Sequence, residues 1–319
     1  MSSILPNEKS ANSLKIIAPA KINLHLEVLG FRQDGFHEMA MVMQSINLFD
    51  EIDFSRANDA RISLTSDMQS LSTGEDNLIL KAAKLLKKYS KTHELGALIH
   101  LKKNIPIGAG LAGGSSDAAA TLLGLNSLWE LGLSIKELEF LASKLGSDVP
   151  FCVSGGTQLC FGRGESLEPL KNSRAELSLL LVKDPSIEDS TPWAYAKYKE
   201  INGKSYLASE KDFSIRRKLL KEAHWVNNLS ALNHPALRND LQEVVAPLVP
   251  AVQHSLEFLS SLKGIIGFAM SGSGPSCFAL FPNFQSAKTA LEDNQNKLEL
   301  LGLKGWCCSF KSTGVSIIS

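Results

Sequence analysis

The segment P-I-G-A-G-L-A-G-G-S-S-D spans residues 106–117, and an apolar helical pattern follows it through Trp129. Glycine lets the backbone come close to a ligand, and the amides at the start of a helix are unpaired and carry partial positive charge. Together these features predict a cradle for an anion such as phosphate. The residues expected to form this cradle are Pro106, Gly108, Gly110, Gly113, Gly114, Ser115 and Ser116.

Two named phosphate-binding patterns do not account for this segment. Gly108, Gly110 and Gly113 fit G-x-G-x-x-G, but the acidic residue expected about 20 positions later at the end of a second strand is missing, since Glu130 lies in a helical pattern. The P-loop pattern fails because no G-K-S/T follows. A plain tight turn is the alternative, although four glycines and two serines together exceed what a turn needs.

Upstream, residues 21–28 alternate strictly between polar and apolar side chains, which predicts a half-buried strand. This alternation places Lys21 and Asn23 on one face and Ile22 and Leu24 on the other. A lysine at the start of such a strand is unusual, although a solvated strand end is the ordinary interpretation.

Downstream, two further segments combine glycine with polar residues. Asp148 follows a predicted helix in Gly146-Ser147-Asp148-Val149-Pro150, and residues 271–276 read S-G-S-G-P-S between two predicted strands. Separately, they could be a turn cap and a hairpin connection. A phosphate cradle, a lysine, an aspartate and a second glycine loop are together what phosphoryl transfer requires, namely positioning, charge neutralisation and a proton acceptor.

The remaining pattern mixes strands and helices without regular β-α alternation, which favours an α+β fold. A turn is predicted at Asp34-Gly35, and a capping box begins a helix at Ser134 that is expected to end at Gly146. Strands are predicted near 40–48, 51–54, 61–65, 97–103, 177–182, 264–270, 276–281 and 305–313, and helices near 77–89, 213–223, 240–246 and 252–263.

Composition narrows the class of protein. The 319 residues suggest about two domains. The 33 basic and 33 acidic residues balance, which gives no indication of a nucleic-acid partner. No apolar run reaches the ~18–20 residues that a membrane span needs, and we expect a cytoplasmic protein without a targeting segment.

The sequence resembles the GHMP small-molecule kinases in three segments and in their order. These segments are P-A-K-I-N, P-x-G-x-G-L-x-G-G-S-S and S-G-S-G-P-S. The resemblance covers the chain from about Pro19 onward. It implies a two-domain fold, in which residues 1–164 form an ATP-binding domain like the second domain of ribosomal protein S5. Residues 165–319 would form a ferredoxin-like substrate domain, with the active site in the cleft between the two.

The same resemblance implies roles for the polar residues. Asp148 corresponds to the catalytic base and Lys21 to its partner, while Asn77 and Lys103 fall where the family contacts the nucleotide. ATP with Mg²⁺ is the implied phosphoryl donor, and the metal ligands stay unassigned. Ala109 and Ala112 stand where glycine is frequent in the family, which slightly narrows the loop.

Within the family, the sequence most resembles the members that phosphorylate a cytidine diphosphate-linked methylerythritol. The segments that carry this resemblance are D-G-F-H-E, G-S-D-V-P-F and N-D-L. The alternatives are another GHMP enzyme, such as a homoserine or mevalonate kinase, and a non-catalytic nucleotide-binding protein on the same fold.

We expect a monomer or weak homodimer. The implied substrate contacts are Asn23, Phe36, His37, Thr191, Tyr195, Gly272, Ser273 and Gly274.

Phe36, His37 and Tyr195 would form the wall that contacts the cytosine base, by stacking and hydrogen bonding. Phe36 and Tyr195 could instead be core aromatics, and His37 a turn histidine.

Overall fold

The computed structural model describes residues 12–91, 93–170, 177–188 and 190–318. Its strands in these ranges are β1 (Ser13–Phe31), β2 (His37–Arg56), β3 (Ile62–Ser66), β4 (Ala97–Lys102), β5 (Thr157–Gly162), β6 (Ser166–Pro169), β7 (Ser178–Lys183), β8 (Arg238–Asn239), β9 (Gly267–Met270), β10 (Cys277–Phe281), β11 (Lys304–Ser309) and β12 (Ser316–Ile318).

The helices in the same ranges are α1 (Leu78–Ser90), α2 (Gly113–Leu128), α3 (Ile135–Ala142), α4 (Val149–Ser154), α5 (Thr191–Asn202), α6 (Glu210–Glu222), α7 (His224–Asn227), α8 (Gln242–Leu248), α9 (Pro250–Ser260), α10 (Phe284–Asp293) and α11 (Gln295–Leu300), with a 3-10 turn at Gly203–Ser205. In this part of the chain, no helix is long and apolar enough to cross a membrane.

Two sheets organise the fold. The first has the order β12-β1-β2-β4-β3, with β5 paired to β2 and β6, and β8 paired to β1. The second has the order β11-β7-β10-β9 and is antiparallel throughout. The predicted α+β architecture is confirmed. The boundary at residue 164 stays a prediction; strands β6, β8 and β12, which follow it in sequence, all pair within the first sheet.

The alternation in β1 is more complex than predicted. The pairing with β2 shifts register between Asn23 and His25, so one extra residue of β1 exchanges the two faces of the strand. Leu24 therefore packs in one core cluster and Leu26 in the other. Both faces of the strand are covered, and Lys21 is only 4% exposed. The prediction of a half-buried strand is wrong because the second sheet packs on the Ile22 face, while the glycine-rich segment and Asp148 cover the Lys21 face.

Helix α3 and strand β2 differ in part from their predicted forms. The capping box of α3 is confirmed, since the Ser134 side chain accepts from the Glu137 amide and the Glu137 carboxylate accepts from Ser134. The helix ends at Ala142 rather than at Gly146. The segments predicted as separate strands at 40–48 and 51–54 form the single strand β2.

Candidate active site

A cleft of about 910 Å³ lies between the glycine-rich segment, β1, the β1–β2 hairpin, α5 and the β9–β10 loop. It brings together most of the residues that the sequence analysis selected. Those that line it are Lys21, Asn23, Phe36, His37, Asn77, Lys103, Pro106, Gly108, Gly110, Gly113, Gly114, Ser115, Asp148, Thr191, Tyr195, Gly272 and Ser273.

The glycine-rich segment leads directly into α2. Gly108 and Gly110 have positive φ angles of 55° and 70°, and the helix begins at Gly113 after Ala112, whose φ is 55°. Ala112 has no side-chain capping bond, so amides of the first turn are available to a ligand in the cleft. These free amides and the flexible glycines fit a phosphate chain, as the ATP of the implied reaction requires.

Ser116 differs from its neighbours in this segment. Its side chain is fully buried, and its hydroxyl donates to the carbonyl oxygen of Pro19 at 2.7 Å. This hydroxyl therefore anchors α2 to β1 and does not face the cleft, which corrects the prediction that it contacts phosphate. Ser115, one residue earlier, lines the cleft.

The two glycine loops pack against each other through their backbones. A Cβ atom at Gly110 would lie 2.2 Å from the Ser271 carbonyl oxygen, and one at Gly272 would lie 2.9 Å from the Gly110 carbonyl oxygen. The Ser271 hydroxyl also donates to the Gly110 oxygen at 3.0 Å. Glycine at these positions therefore permits the close contact between the two parts of the fold.

Lys21 lies at this junction. Its Nζ donates to Asn23 Oδ1 at 2.8 Å and to the Gly110 carbonyl oxygen at 3.1 Å, and it is 3.7 Å from Asp148 Oδ2. The Lys21 side chain is 5% exposed and the Asp148 side chain 32% exposed. The ammonium group is thus fixed by β1 and the glycine-rich segment, while the carboxylate reaches the open cleft.

Asp148 precedes α4, whose second residue is Pro150. Its side chain makes no capping hydrogen bond to that helix, so the simple role of a turn cap does not explain it. The buried ammonium group of Lys21 places a positive charge 3.7 Å from this partly exposed carboxylate. This pair can accept a proton from a hydroxyl group and stabilise negative charge nearby.

Lys103 is committed to a buried ion cluster. Its Nζ forms ion pairs with Asp50 and, at 3.1 Å, with Asp117 Oδ2. Burial raises the pKa of Asp117 to about 8, against the lowering effect of Lys103. Asp117 Oδ1 is buried without a hydrogen-bond partner among the described residues. Lys103 thus forms part of the cleft floor, with its charge largely neutralised, and its contact with the nucleotide stays a prediction.

Asn77 is the N-cap of α1. Its Oδ1 accepts from the Ile79 amide at 2.9 Å and its Nδ2 donates to the Ser72 carbonyl oxygen at 2.6 Å. The side chain therefore already has a structural role at the cleft margin, and its contact with the nucleotide also stays a prediction.

An aromatic wall forms the other end of the cleft. The rings of His37 and Tyr195 stack with centroids 5.1 Å apart and planes at 29°. The rings of Phe31 and His37 pack in a T-shaped arrangement with centroids 5.2 Å apart. Phe36 is 48% exposed, with Arg163 4.8 Å from its ring centroid. Phe36 and Tyr195 therefore line one cleft and do not belong to separate cores.

His37 is half-buried within this wall. Its Nε2 forms a hydrogen bond with the Tyr206 hydroxyl at 2.8 Å. Burial, together with the nearby positive charge of Lys199, lowers the pKa of His37 to about 4. The imidazole is therefore neutral at neutral pH.

The β9–β10 loop completes the cleft. The hydroxyls of Thr191 and Ser273 are 2.9 Å apart, and both residues line the cleft. Gly274 does not line it; a Cβ there would lie 2.7 Å from Met270 Sδ, so this glycine allows the loop to turn. The contact of Gly274 with substrate stays a prediction.

Asn239 holds this loop in place. Its Nδ2 donates to the carbonyl oxygens of Met270 and Gly272 at 2.7 and 2.8 Å, and its Oδ1 accepts from the Leu241 amide at 3.0 Å. In the sequence, the N-D-L segment indicated only a family resemblance, and this structural role of Asn239 was not predicted.

Three cleft-side residues were also missed. Lys199 lies 3.4 Å from the centroid of the Phe31 ring, Arg163 covers Phe36, and Tyr206 binds His37. Lys199 could have been found, because it follows Tyr195 by four residues and shares its face once α5 is recognised as a helix. Arg163 and Tyr206 carry no comparable sequence signal.

Comparison with known proteins agrees with this geometry. Residues 77–156 match the family described as GHMP kinases N terminal domain, and residues 216–300 match GHMP kinases C terminal. The chain belongs to the GHMP kinase family, as predicted. It is a small-molecule kinase, and the family uses ATP.

Individual relatives are named more specifically than the family. A 4-diphosphocytidyl-2-C-methyl-D-erythritol kinase of Prochlorococcus marinus is 64% identical over 308 residues, which cover 97% of each chain. One from Synechococcus sp. is 58% identical over 96% of this chain and all of the relative. The crystal structure of a 4-(cytidine 5'-diphospho)-2C-methyl-D-erythritol kinase is 29% identical, with a TM-score of 0.70 over 93% of this chain and 99% of that one.

Proposed function

We propose that this chain transfers the γ-phosphoryl group of ATP to the 2-hydroxyl of 4-diphosphocytidyl-2-C-methyl-D-erythritol, a step of non-mevalonate isoprenoid synthesis. The observation that supports it most directly is the Lys21–Asp148 pair, 3.7 Å apart, between the glycine-rich segment and the aromatic wall. A phosphate donor on one side and a base-bearing alcohol on the other would both reach this pair.

Asp148 acts as the general base in this proposal. Its carboxylate accepts the proton of the substrate hydroxyl as the oxygen attacks the γ-phosphorus, and the bond from that phosphorus to the β-phosphate oxygen breaks. Lys21, 3.7 Å from Asp148, stabilises the negative charge that develops on the transferring group. The glycine-rich segment binds the phosphates through the amides that precede and begin α2.

Mg²⁺ would accompany ATP and neutralise phosphate charge. Magnesium in such sites is held by one or two protein oxygens together with the phosphates. Ser115 offers a suitable oxygen within the cleft. Among the described residues no group of three potential metal-binding side chains occurs, which suits an ion carried by the nucleotide.

The test is a coupled assay of ADP release with the cytidine-linked alcohol, homoserine and mevalonate as parallel substrates. We expect turnover with the first alone. Preference for homoserine or mevalonate would reassign the chain within its family, and nucleotide binding without turnover of any of the three would contradict the assignment.

The aromatic wall gives a second test of substrate class. Stacking a base on an aromatic face is worth about 1–3 kcal/mol, so Phe36→Ala should raise the KM for the cytidine substrate about 5- to 150-fold and leave that for ATP unchanged. Because Phe36 is 48% exposed, its loss should not affect folding. The matched control is Phe140→Ala, at an aromatic that is 56% exposed outside the cleft. Equal KM values in all three proteins would remove the physical support for a cytosine site.

A further inference from the structure

Tyr206 lies behind the cleft wall and contacts the His37 imidazole, although it does not line the cleft itself. We propose that Tyr206 is a positioning residue that fixes the tautomer of His37 and so sets the preference for cytosine over uracil. This inference rests on the proposed function, because it concerns the base that the substrate carries.

The hydrogen bond determines which nitrogen carries the proton. A neutral imidazole has one N–H donor and one acceptor nitrogen. The Tyr206 phenol is half-buried and keeps its proton, because burial raises its pKa to about 12. A phenol is a good donor and an imidazole nitrogen a better acceptor than a phenol oxygen, so the hydroxyl donates to Nε2 at 2.8 Å. The hydrogen of His37 then resides on Nδ1.

Nδ1 is the nitrogen that remains for a ligand. Within the described ranges it has no protein hydrogen-bond partner, and it is not among the buried atoms that lack one. His37 lines the cleft, so a bound base can approach this N–H. Cytosine offers an acceptor at N3, whereas uracil carries a hydrogen there. A donor at Nδ1 therefore matches cytosine and opposes uracil.

Neighbouring aromatic rings restrain the side chains of both His37 and Tyr206. Tyr195 stacks on the His37 ring, and Tyr198 stacks on Tyr206 with centroids 6.2 Å apart and planes at 18°. The Tyr198 hydroxyl is directed elsewhere, to Asp240 Oδ2 at 3.3 Å. Tyr198→Phe is thus a matched control: it removes one phenol hydroxyl from the same cluster without touching His37.

The first measurement is the ¹⁵N NMR spectrum of the histidine imidazoles in the ligand-free protein. The signals of His37 are assigned as those that disappear in His37→Gln. In the wild type and in Tyr198→Phe we expect Nδ1 to be protonated and Nε2 to be the bare nitrogen. In Tyr206→Phe the tautomer should shift toward Nε2–H, which an isolated imidazole prefers. The same tautomer in all three proteins would overturn the proposal.

The second measurement is kcat/KM for the cytidine substrate and its uridine analogue. Because one hydrogen bond contributes about 0.5–1.5 kcal/mol, Tyr206→Phe should lower the cytosine preference about 2- to 10-fold, through KM rather than kcat. Tyr198→Phe should keep the wild-type ratio. An unchanged ratio in Tyr206→Phe would overturn the inference, while a wild type inactive on the cytidine substrate would overturn the proposed function and leave the NMR result intact.

Discussion

Lys21 and Asp148 reach each other from different elements, β1 and the residue before α4. Each has a distinct environment. The lysine is buried and held by two oxygen acceptors, and the aspartate keeps a third of its side chain open to the cleft. This asymmetry suits the roles proposed for them, since a base must touch substrate and its counter-charge must not move.

Replacement of Asp148 by asparagine keeps its shape and removes its basicity. Loss of a general base costs about 10²–10⁴ in rate, so kcat should collapse while ATP affinity by calorimetry changes little. Lys21→Met should lower kcat as severely. Asp76→Asn, at another acidic residue of the cleft, is the control and should keep its kcat. Near-normal turnover in Asp148→Asn would contradict its assignment as base.

The raised pKa of Asp117 should make the free energy of unfolding depend on pH. Its folded pKa of about 8 exceeds the ordinary value of 3.8 because burial disfavours its charge. Between about pH 4 and pH 8 the folded state therefore binds a proton that the unfolded state has released. The free energy of unfolding should fall as pH rises through this window, by up to about 1.4 kcal/mol per pH unit.

Urea denaturation of Asp117→Asn across this window measures that contribution. The variant should show a flatter dependence than the wild type. Asp67→Asn, at a more exposed aspartate that accepts from the Lys103 amide, serves as the control. Parallel curves for Asp117→Asn and the wild type would show that the buried cluster stays charged throughout.

At the scale of elements, the start of α2 contains a strained residue. Ala112 has φ 55° and ψ 31°, a left-handed conformation that costs a non-glycine residue about 1–2 kcal/mol. Glycine would remove this strain but would also make the unfolded chain more flexible. Ala112→Gly should therefore stabilise the protein by about 0.5–1 kcal/mol.

Thermal denaturation tests this expectation. Ala112→Gly should raise Tm by a few degrees, whereas Ala109→Gly, in the same segment but without a positive φ, should lower it. Gains or losses of equal size in both variants would show that the left-handed conformation is not the cause.

The sequence predicted the glycine-rich start of α2, the capping box of α3 and the Lys21 strand, because each depends on neighbouring residues. It failed where distant contacts decide. The bulge after Asn23 arises from pairing with β2, and the Ser116 hydroxyl turns away because Pro19 lies within its reach. Helix α5 has only two buried residues, Ala194 and Tyr198, so the apolar periodicity of its sequence is too weak to predict a helix.

At the scale of the molecule, the β9–β10 loop depends on a side chain from β8. Asn239→Ala would leave buried carbonyl oxygens of Met270 and Gly272 without their donor, which should cost about 2–4 kcal/mol of unfolding free energy. Because that loop also supports Ser273 and contacts Gly110, kcat should fall as well.

The control for this prediction is Asn283→Ala. Asn283 is the N-cap of α10, and its loss should cost about 1 kcal/mol with no kinetic effect. Urea denaturation and steady-state kinetics on both variants separate the two roles. Stability loss in Asn239→Ala with normal kcat would show that the loop holds its shape without this support.

The first sheet also has a consequence for synthesis on the ribosome. Strand β1 begins at Ser13, yet one of its neighbours is β12 at Ser316–Ile318 and another is β8 at Arg238–Asn239. Domains generally fold as they emerge, the N-terminal part first. Here β1 must wait until residues 316–318 are translated before its hydrogen-bonding partners are complete. The nascent chain therefore carries an unfinished sheet edge until then, and such edges are where chaperones and unwanted strand pairing act.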